Sequence, residues 1–467
     1  MRSKLSFASA LLASAQMPVA LGQLNIDINN ADTLKTAAAT VMKSMVNDYT
    51  SQQPFSVGLL PPEYSFFESA LFFNTIMDYA AYTGDSTYNS LFEKDFFAQV
   101  GSDSDFMPSN SSQRIDNDDV GYWALAAMTA AEFGAKPANS SNPSYLSLAT
   151  KVFNNYVSRW DTTACNGGLR WQITSSTNGY EFKDTQSNGI FFELSARLGA
   201  YTGNKTYTDW ATKIFDWTSK TGLTDAESSS GGGVVYAGVT ATGGCKNIDK
   251  SFFSAQSANY IYGSAAMYNT TKSKTWLTRA TLLAGYASAT YFGPQMYVDD
   301  GSSQVVVETA CEFQGNCTLS QKAGKNILFR SLANAITLNA GTNISSIMPR
   351  QLNNSATAAG KSCSDQGECA FKWSDLAYNP AQTSGFGEKT AAIEAWLTIL
   401  RRANGTPDLA AAQSSTPPST TSGGGASSTG GPAPTVTQSG KPNSGATLMA
   451  GSALGLVAVV SFLQALL

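Results

Sequence analysis

Between residues 23 and 403, apolar residues recur every three to four positions along most of the chain, the spacing of amphipathic helices. Leu34, Ala37, Ala38, Val41 and Met45 form one such stripe and predict a helix over 31–49. Phe66, Phe67, Ala70, Leu71, Ile76 and Tyr79 predict another over 63–82. The same spacing predicts helices over 120–133, 144–160, 188–201, 207–218, 255–268, 276–291, 325–338 and 389–400. The intervening segments are rich in Gly, Asn, Asp and Ser, which end helices and form turns. Two of them echo each other, Tyr82-Thr83-Gly84-Asp85-Ser86-Thr87-Tyr88 and Tyr201-Thr202-Gly203-Asn204-Lys205-Thr206-Tyr207. In each, the glycine supplies the left-handed stop of one helix, and Asp85 or Asn204 opens the turn into the next. Helical hairpins repeated in one large unit predict a ring in which each pair buries the face its neighbour exposes. The glycine-rich stretch 228–233 is expected to add a small hairpin. It lacks the Lys-Ser/Thr that a phosphate-binding loop requires. Asp299-Asp300 beside Gly301 reads as a turn.

Outside that region the pattern changes. Met1-Arg2-Ser3-Lys4, a short apolar run from Leu5 to Ala15, and small residues at Ala20 and Gly22 predict a secretory signal peptide over 1–22. From Asn404 the aromatics give way to Ser, Thr, Gly, Pro and Ala. That composition cannot bury enough apolar surface to offset ordering, and it predicts an O-glycosylated stalk over 404–443. Small residues at Asn443-Ser444-Gly445 then precede an uncharged apolar tail running to Leu467. This is the pattern of a GPI-anchor propeptide over 444–467, with the lipid attached at Asn443 or, alternatively, Ser444. The expected location is the outer face of the plasma membrane, held there by the lipid.

An oxidising route agrees with six cysteines. Cys311/Cys317 and Cys363/Cys369 share one spacing, so each pair is expected to close a small loop, leaving Cys165 and Cys245 to bridge distant ones; other pairings remain open. Acceptor motifs for N-glycosylation occur at Asn110, Asn139, Asn204, Asn269, Asn316, Asn343, Asn353 and Asn404.

Charge and composition narrow the chemistry. Lys+Arg 30 against Asp+Glu 34 gives a net charge of −4, with no basic run, which argues against a nucleic-acid partner. His is 0. This excludes His-dependent triads and zincin-type metal sites, so acid–base work falls to Asp, Glu, Tyr, Lys or Cys.

One segment points to such work. Asp116, Asp118 and Asp119 crowd the start of a strongly apolar helix, with Asn117, Tyr122 and Trp123 beside them. Helix capping accounts for one or two of these acids. Hydrolysis of a glycosidic bond needs two carboxyls, about 5–5.5 Å apart in retaining enzymes and about 6.5–9.5 Å in inverting ones. Side chains at i and i+1 leave a helix about 100° apart, so adjacent acids can meet the shorter spacing. Their mutual repulsion raises one pKa and keeps a proton available near neutrality.

The run Asn117-Asp118-Asp119-Val120-Gly121-Tyr122-Trp123-Ala124-Leu125-Ala126-Ala127-Met128 resembles the signature of glycoside hydrolase family 76, in particular its fungal GPI-anchored cell-wall members. The likeness continues through Trp160-Asp161, Cys165-Asn166-Gly167-Gly168-Leu169-Arg170-Trp171 and Ser187-Asn188-Gly189, and it resumes at the two closely spaced cysteine pairs. Three phrases depart from the family pattern. Phe66-Phe67-Glu68-Ser69-Ala70 stands for a Trp-Trp-Glu-Ala-Gly-like phrase, and Ser254-Ala255-Gln256-Ser257 for a Tyr-Asn-Gln-Gly-like one. Gly324-Lys325 … Arg330-Ser331 stands for a Phe-Lys … Arg-Trp block. The resemblance implies an all-α (α/α)6 barrel over 23–403 and retaining, random hydrolysis of α-1,6-mannosidic linkages in wall mannan. Asp118 would be the nucleophile and Asp119 the general acid/base; Asn117, Tyr122, Trp171 and Asn188 are the candidate substrate-binding residues. No cofactor or metal is implied. Two alternatives stand beside hydrolysis. One is transfer from the mannose core of a GPI glycan to wall glucan as acceptor; the other is a catalytically weakened mannan-binding wall protein.

Overall fold

The computed structural model describes residues 22–51, 57–109, 114–227, 232–293, 304–380 and 385–404. The chain divides into two units, Met1–Ser415 and Thr416–Leu467, and only the first contains described residues. The signal peptide up to residue 21, Asn110, the stretches 228–231 and 299–300, and Asn443 and Ser444 lie outside them. Among the described residues no helix is long and apolar enough to cross a membrane.

Every stripe read from the sequence is a helix. In chain order the helices are α1 (Ala31–Ser51), α2 (Phe66–Thr83), α3 (Asn89–Phe97), α4 (Asn117–Glu132), α5 (Tyr145–Arg159), α6 (Thr185–Thr202) and α7 (Lys205–Lys220). They continue as α8 (Ser254–Thr271), α9 (Lys274–Tyr291), α10 (Leu319–Lys322), α11 (Gly324–Leu338), α12 (Asn343–Ser346), α13 (Pro349–Lys361) and α14 (Phe386–Asn404). Helix α13 carries almost no large apolar side chain. Its buried face is Leu352 with Ser355, Ala356, Ala358, Ala359 and Gly360, which the apolar pattern does not register. Gly84 and Gly203 are left-handed, at φ 80° and 69°, and close α2 and α6 as their repeated phrase predicts.

Packing closes a ring. Helix α2 lies against α4, α4 against α6, α6 against α8, α8 against α11, α11 against α14, and α14 returns to α2. Around these six, α3 packs on α2, α5 on α4, α7 on α6 and α9 on α8, with α1 and α13 on α14. Two concentric layers of six make an (α/α)6 barrel. Inner α4 is buried on nearly every side, whereas outer α7 buries a single stripe of Ala211, Ile214, Phe215, Trp217 and Thr218. Close approach of inner neighbours depends on Gly121, where a Cβ would come within 2.5 Å of Ile190 and of the Tyr156 hydroxyl.

A small antiparallel sheet sits at the N-terminal end of the inner helices. Its strands β1 (Phe182–Asp184), β2 (Gly238–Thr240) and β3 (Ile248–Asp249) lie in that order, with Asp184 opposite Gly238. The three disulfides are Cys165–Cys245, Cys311–Cys317 and Cys363–Cys369, the expected pairing. The first fastens the loop after α5 to the turn between β2 and β3. Of the glycosylation candidates, Asn139, Asn204, Asn316 and Asn343 are exposed, Asn269 and Asn353 are half-buried, and Asn404 ends α14.

Candidate active site

Five inner helices point their N-termini toward one open cleft of about 860 Å³. Phe67 of α2, Asp118 and Tyr122 of α4, Gln186 of α6, Ala255 and Gln256 of α8, and Gly324 and Ile327 of α11 line it. Trp171, Asp184 and Glu308 enter from the loops and β1. Among the described residues that line it there is no Lys or Arg.

Asp118 is half-buried and faces this space. Its Oδ1 accepts from Trp171 Nε1 at 3.0 Å. The Trp171 backbone is braced on both sides: its N–H donates to Phe182 O at 2.8 Å, and its carbonyl accepts from Asn117 N at 3.1 Å. The indole therefore stands at a fixed height over α4. Burial drives the Asp118 carboxyl well above the usual carboxylate range, and the negative neighbours Asp119, Asp184 and Asp116 push it the same way.

Asp119 is buried and held differently. Oδ1 accepts from Phe67 N at 3.0 Å and Oδ2 from Asp116 N at 2.9 Å, so one carboxylate ties α2 to the cap of α4. Burial raises its pKa to about 7 despite these two donors. It does not line the cleft. Asp184 caps α6, with Oδ2 accepting from Ser187 N at 2.8 Å, and burial lifts it to about 6. Glu308 accepts from Ser254 N at 3.2 Å and is pushed up to about 7, again by burial. Asp116, Asp118 and Asp119 also bring carboxylate oxygens within 4.8 Å of one another.

The remaining candidates separate into two groups. Tyr122 and Trp171 line the cleft, and the Tyr122 hydroxyl accepts from Gln186 Nε2. Asn117 and Asn188 do not line it. Asn117 donates to Arg170 O at 2.8 Å and accepts from Arg159 Nη1 at 3.0 Å. Asn188 brackets Leu169, accepting from its N–H at 2.8 Å and donating to its carbonyl at 3.0 Å. Both amides are spent on fixing the loop that carries Trp171. Sequence reasoning missed Asp184, Gln186 and Glu308. Asp184 has the signal of a helix cap and no other, and Glu308 lies in a loop far along the chain.

The helical unit is similar to known proteins. The profile of glycosyl hydrolase family 76 matches residues 33–408. Mannan endo-1,6-alpha-mannosidase DCW1 of Saccharomyces cerevisiae is 32% identical over 375 residues, covering 79% of this chain and 80% of the relative. The crystal structure of Dfg5 from Chaetomium thermophilum in complex with glucosamine superposes with a TM-score of 0.73 at 32% identity, over 81% of this chain and 95% of that one. An alpha-1,6-mannanase of Salegentibacter sp. HEL1_6, inactivated by replacing two consecutive aspartates and solved with alpha-1,6-mannotetrose, shares the fold at a TM-score of 0.61 and 16% identity, over 79% of this chain and 98% of that one. The family match spans most of the chain, and the protein belongs to glycosyl hydrolase family 76.

Proposed function

We propose that the protein is a retaining glycoside hydrolase that cleaves α-1,6-mannosidic linkages within wall mannan. The observation that carries this reading is the consecutive pair Asp118-Asp119 at the mouth of α4, with Asp118 open to a cleft that has no Lys or Arg among its described lining residues. Support also comes from the relative DCW1, named for this activity. Asp118, oriented by the Trp171 N–H, attacks the anomeric carbon as the glycosidic C–O bond breaks; it does so as the carboxylate, after losing the proton that its burial and acid neighbours favour. Asp119, protonated below about pH 7, gives its proton to the leaving oxygen, a step for which its carboxyl must turn from the Phe67 and Asp116 N–H groups toward the cleft. In the second half-reaction Asp119 takes a proton from water, whose oxygen displaces Asp118 from the sugar. The test is product analysis on linear α-1,6-mannan beside α-1,2- and α-1,3-linked mannans. Internal cleavage of the first alone, abolished in Asp118→Asn, supports the reading; equal action on all three, or none on the first, contradicts it.

A second reading replaces water by a sugar hydroxyl. The GPI-type C-terminal pattern and the glucosamine bound to Dfg5 favour a GPI-glycan donor and a glucan acceptor. Both readings place the protein outside the cell, tethered by lipid after attachment at Asn443 or Ser444. Incubation with a mannosyl donor and labelled glucan separates them: label carried into a larger glycan signifies transfer, and free reducing sugar alone signifies hydrolysis.

A further inference from the structure

Two large apolar side chains stand exposed among the described residues, Val57 and Phe313, and Phe313 is the more open at 54%. It lies in the small loop closed by Cys311–Cys317. The inner edge of that loop is anchored: Cys311 and Glu312 are buried, and Glu312 pairs with Lys325 at 2.9 Å. A single helical turn, in which Glu312 N donates to Glu308 O at 2.9 Å, ends there. Gly315 N donates to Glu312 O at 3.1 Å and Asn316 N to Cys311 O at 3.3 Å, with Gly315 left-handed at φ 65°. Phe313, Gln314, Gly315 and Asn316 form the outer edge, and all four are exposed.

Asn316-Cys317-Thr318 is an acceptor motif for N-glycosylation, and Phe313 stands three residues before its asparagine. Three residues span at most about 11 Å even when extended, and the reversal at Gly315 brings the two positions closer. The same order recurs at the end of α6 as Tyr201-Thr202-Gly203-Asn204-Lys205-Thr206, again with a left-handed glycine, at φ 69°, between the aromatic and the asparagine. None of the other six acceptor motifs has an aromatic at that position. A pyranose ring presents an apolar face of C–H groups beside its hydroxyls, and an aromatic ring is a flat apolar surface that such a face can cover. At α6 the protein already half-buries Tyr201, whereas Phe313 stays more than half open.

We propose that Asn316 carries an N-linked glycan whose first N-acetylglucosamine lies against the Phe313 ring, so that the sugar supplies the cover the chain itself lacks. Attachment joins Asn316 Nδ2 to the anomeric carbon of that sugar; the amide gives up one proton, and the lipid diphosphate of the oligosaccharide donor leaves. The stacked sugar steadies the turn between Glu308 and α10, and Glu308, Ser320 and Gln321 on its two sides all line the cleft. The proposal rests on the extracellular reading above and not on the choice of substrate.

The test uses the full chain produced through a yeast secretory route, its N-glycans trimmed by an endoglycosidase that leaves one N-acetylglucosamine on each modified asparagine. Mass spectrometry of the peptide spanning 311–318 reads occupancy, and is expected to find the sugar on Asn316. Hydrogen exchange then reads the Gly315 and Asn316 amides that close the turn. Exchange is expected to be roughly three- to tenfold slower in the trimmed protein than in Asn316→Gln, the value of one stacking contact on an aromatic ring. Phe313→Ala, at an exposed position, is expected to keep the fold and to abolish that difference. An unmodified Asn316 beside glycans at other acceptor sites would overturn the proposal. Equal exchange with and without the sugar would overturn it too, as would a slowing that survives Phe313→Ala. A chain bearing no N-glycan at any site would contradict the extracellular reading along with the proposal, an outcome distinct from the others.

Discussion

At the end of the inner ring away from the cleft, the acids Glu132, Glu193 and Asp78 are paired with arginine. Arg197 pairs with Glu132 at 2.7 Å and with Glu193 at 3.0 Å, while Arg330 and Arg401 both hold Asp78, at 2.6 and 3.1 Å. At the cleft end, Asp118, Asp184 and Glu308 line a space with no basic residue among its described walls. They lean instead on backbone N–H groups at helix N-termini and on one indole. The contrast separates structural charge from chemical charge. A carboxylate paired with a fixed guanidinium holds helices in register. One kept buried without a cation stays poised to take up and release protons near neutrality, at a cost in stability.

The largest effect that sharpens this contrast is expected at the cleft. Asp118→Asn should lower mannan hydrolysis by on the order of 10³-fold or more with the melting temperature unchanged, since Asn still accepts from Trp171. Asp119→Asn should lose similarly on mannan, yet far less on an aryl mannoside whose leaving group needs no proton. Equal losses on both substrates would deny Asp119 the acid role.

At the other end the expected damage is to the fold. Arg330→Met leaves Asp78 with only Arg401 and should cost about 3–5 kcal/mol in unfolding free energy, read by denaturant titration. Loss of activity without loss of stability would break the comparison.

Trp171→Phe keeps the ring and removes the donor to Asp118. A charge-assisted bond of this kind is worth about 1.5–3 kcal/mol, so kcat should fall roughly ten- to a hundredfold while the disaccharide KM stays near its original value.

The smallest effect is on pH dependence. Glu68, Asp119 and Glu308 titrate near 7 and Asp184 near 6 in the folded protein, above the ordinary carboxylate range, because burial disfavours their charge. The unfolded chain releases these protons first, so their contribution to stability is complete below about pH 4 and is lost as pH rises through 6 to 7. Asp85 and Asp161, held low by hydrogen bonds and, for Asp161, by Lys183, act in the opposite sense only under more acid conditions. Thermal unfolding should therefore occur at a higher temperature at pH 5 than at pH 8, and Asp184→Asn should narrow the difference. A higher melting temperature at pH 8 would contradict the poised state of the cleft carboxyls.

How much of this the sequence disclosed follows from where each signal resides. Long apolar stripes such as Leu34–Met45 report burial directly, so the predicted helices were legible. Helix α13 was not, because alanine, serine and glycine pack as closely against α14 without raising the apolar signal. Asp118 and Asp119 were legible as an adjacent pair, but not the division between them, with one carboxyl on the cleft and the other bound to Phe67 and Asp116. Asn117 and Asn188 look like ligands in sequence because their backbone partners, Arg170 and Leu169, are remote along the chain. The three phrases that depart from the family pattern each contribute a departing residue to the cleft lining: Phe67, Ala255 and Gly324 stand there. Their placement turns an unexplained sequence difference into a difference in the cleft wall.

The central claim is that Asp118 becomes covalently joined to the sugar. A fluorinated mannosyl donor that forms the glycosyl-enzyme quickly and hydrolyses slowly, followed by proteolysis and mass spectrometry, reads this directly. The account predicts one mannosyl adduct, on Asp118. An adduct on Asp119 or Asp184, or turnover of the donor with no adduct and inversion at the anomeric carbon, would contradict it.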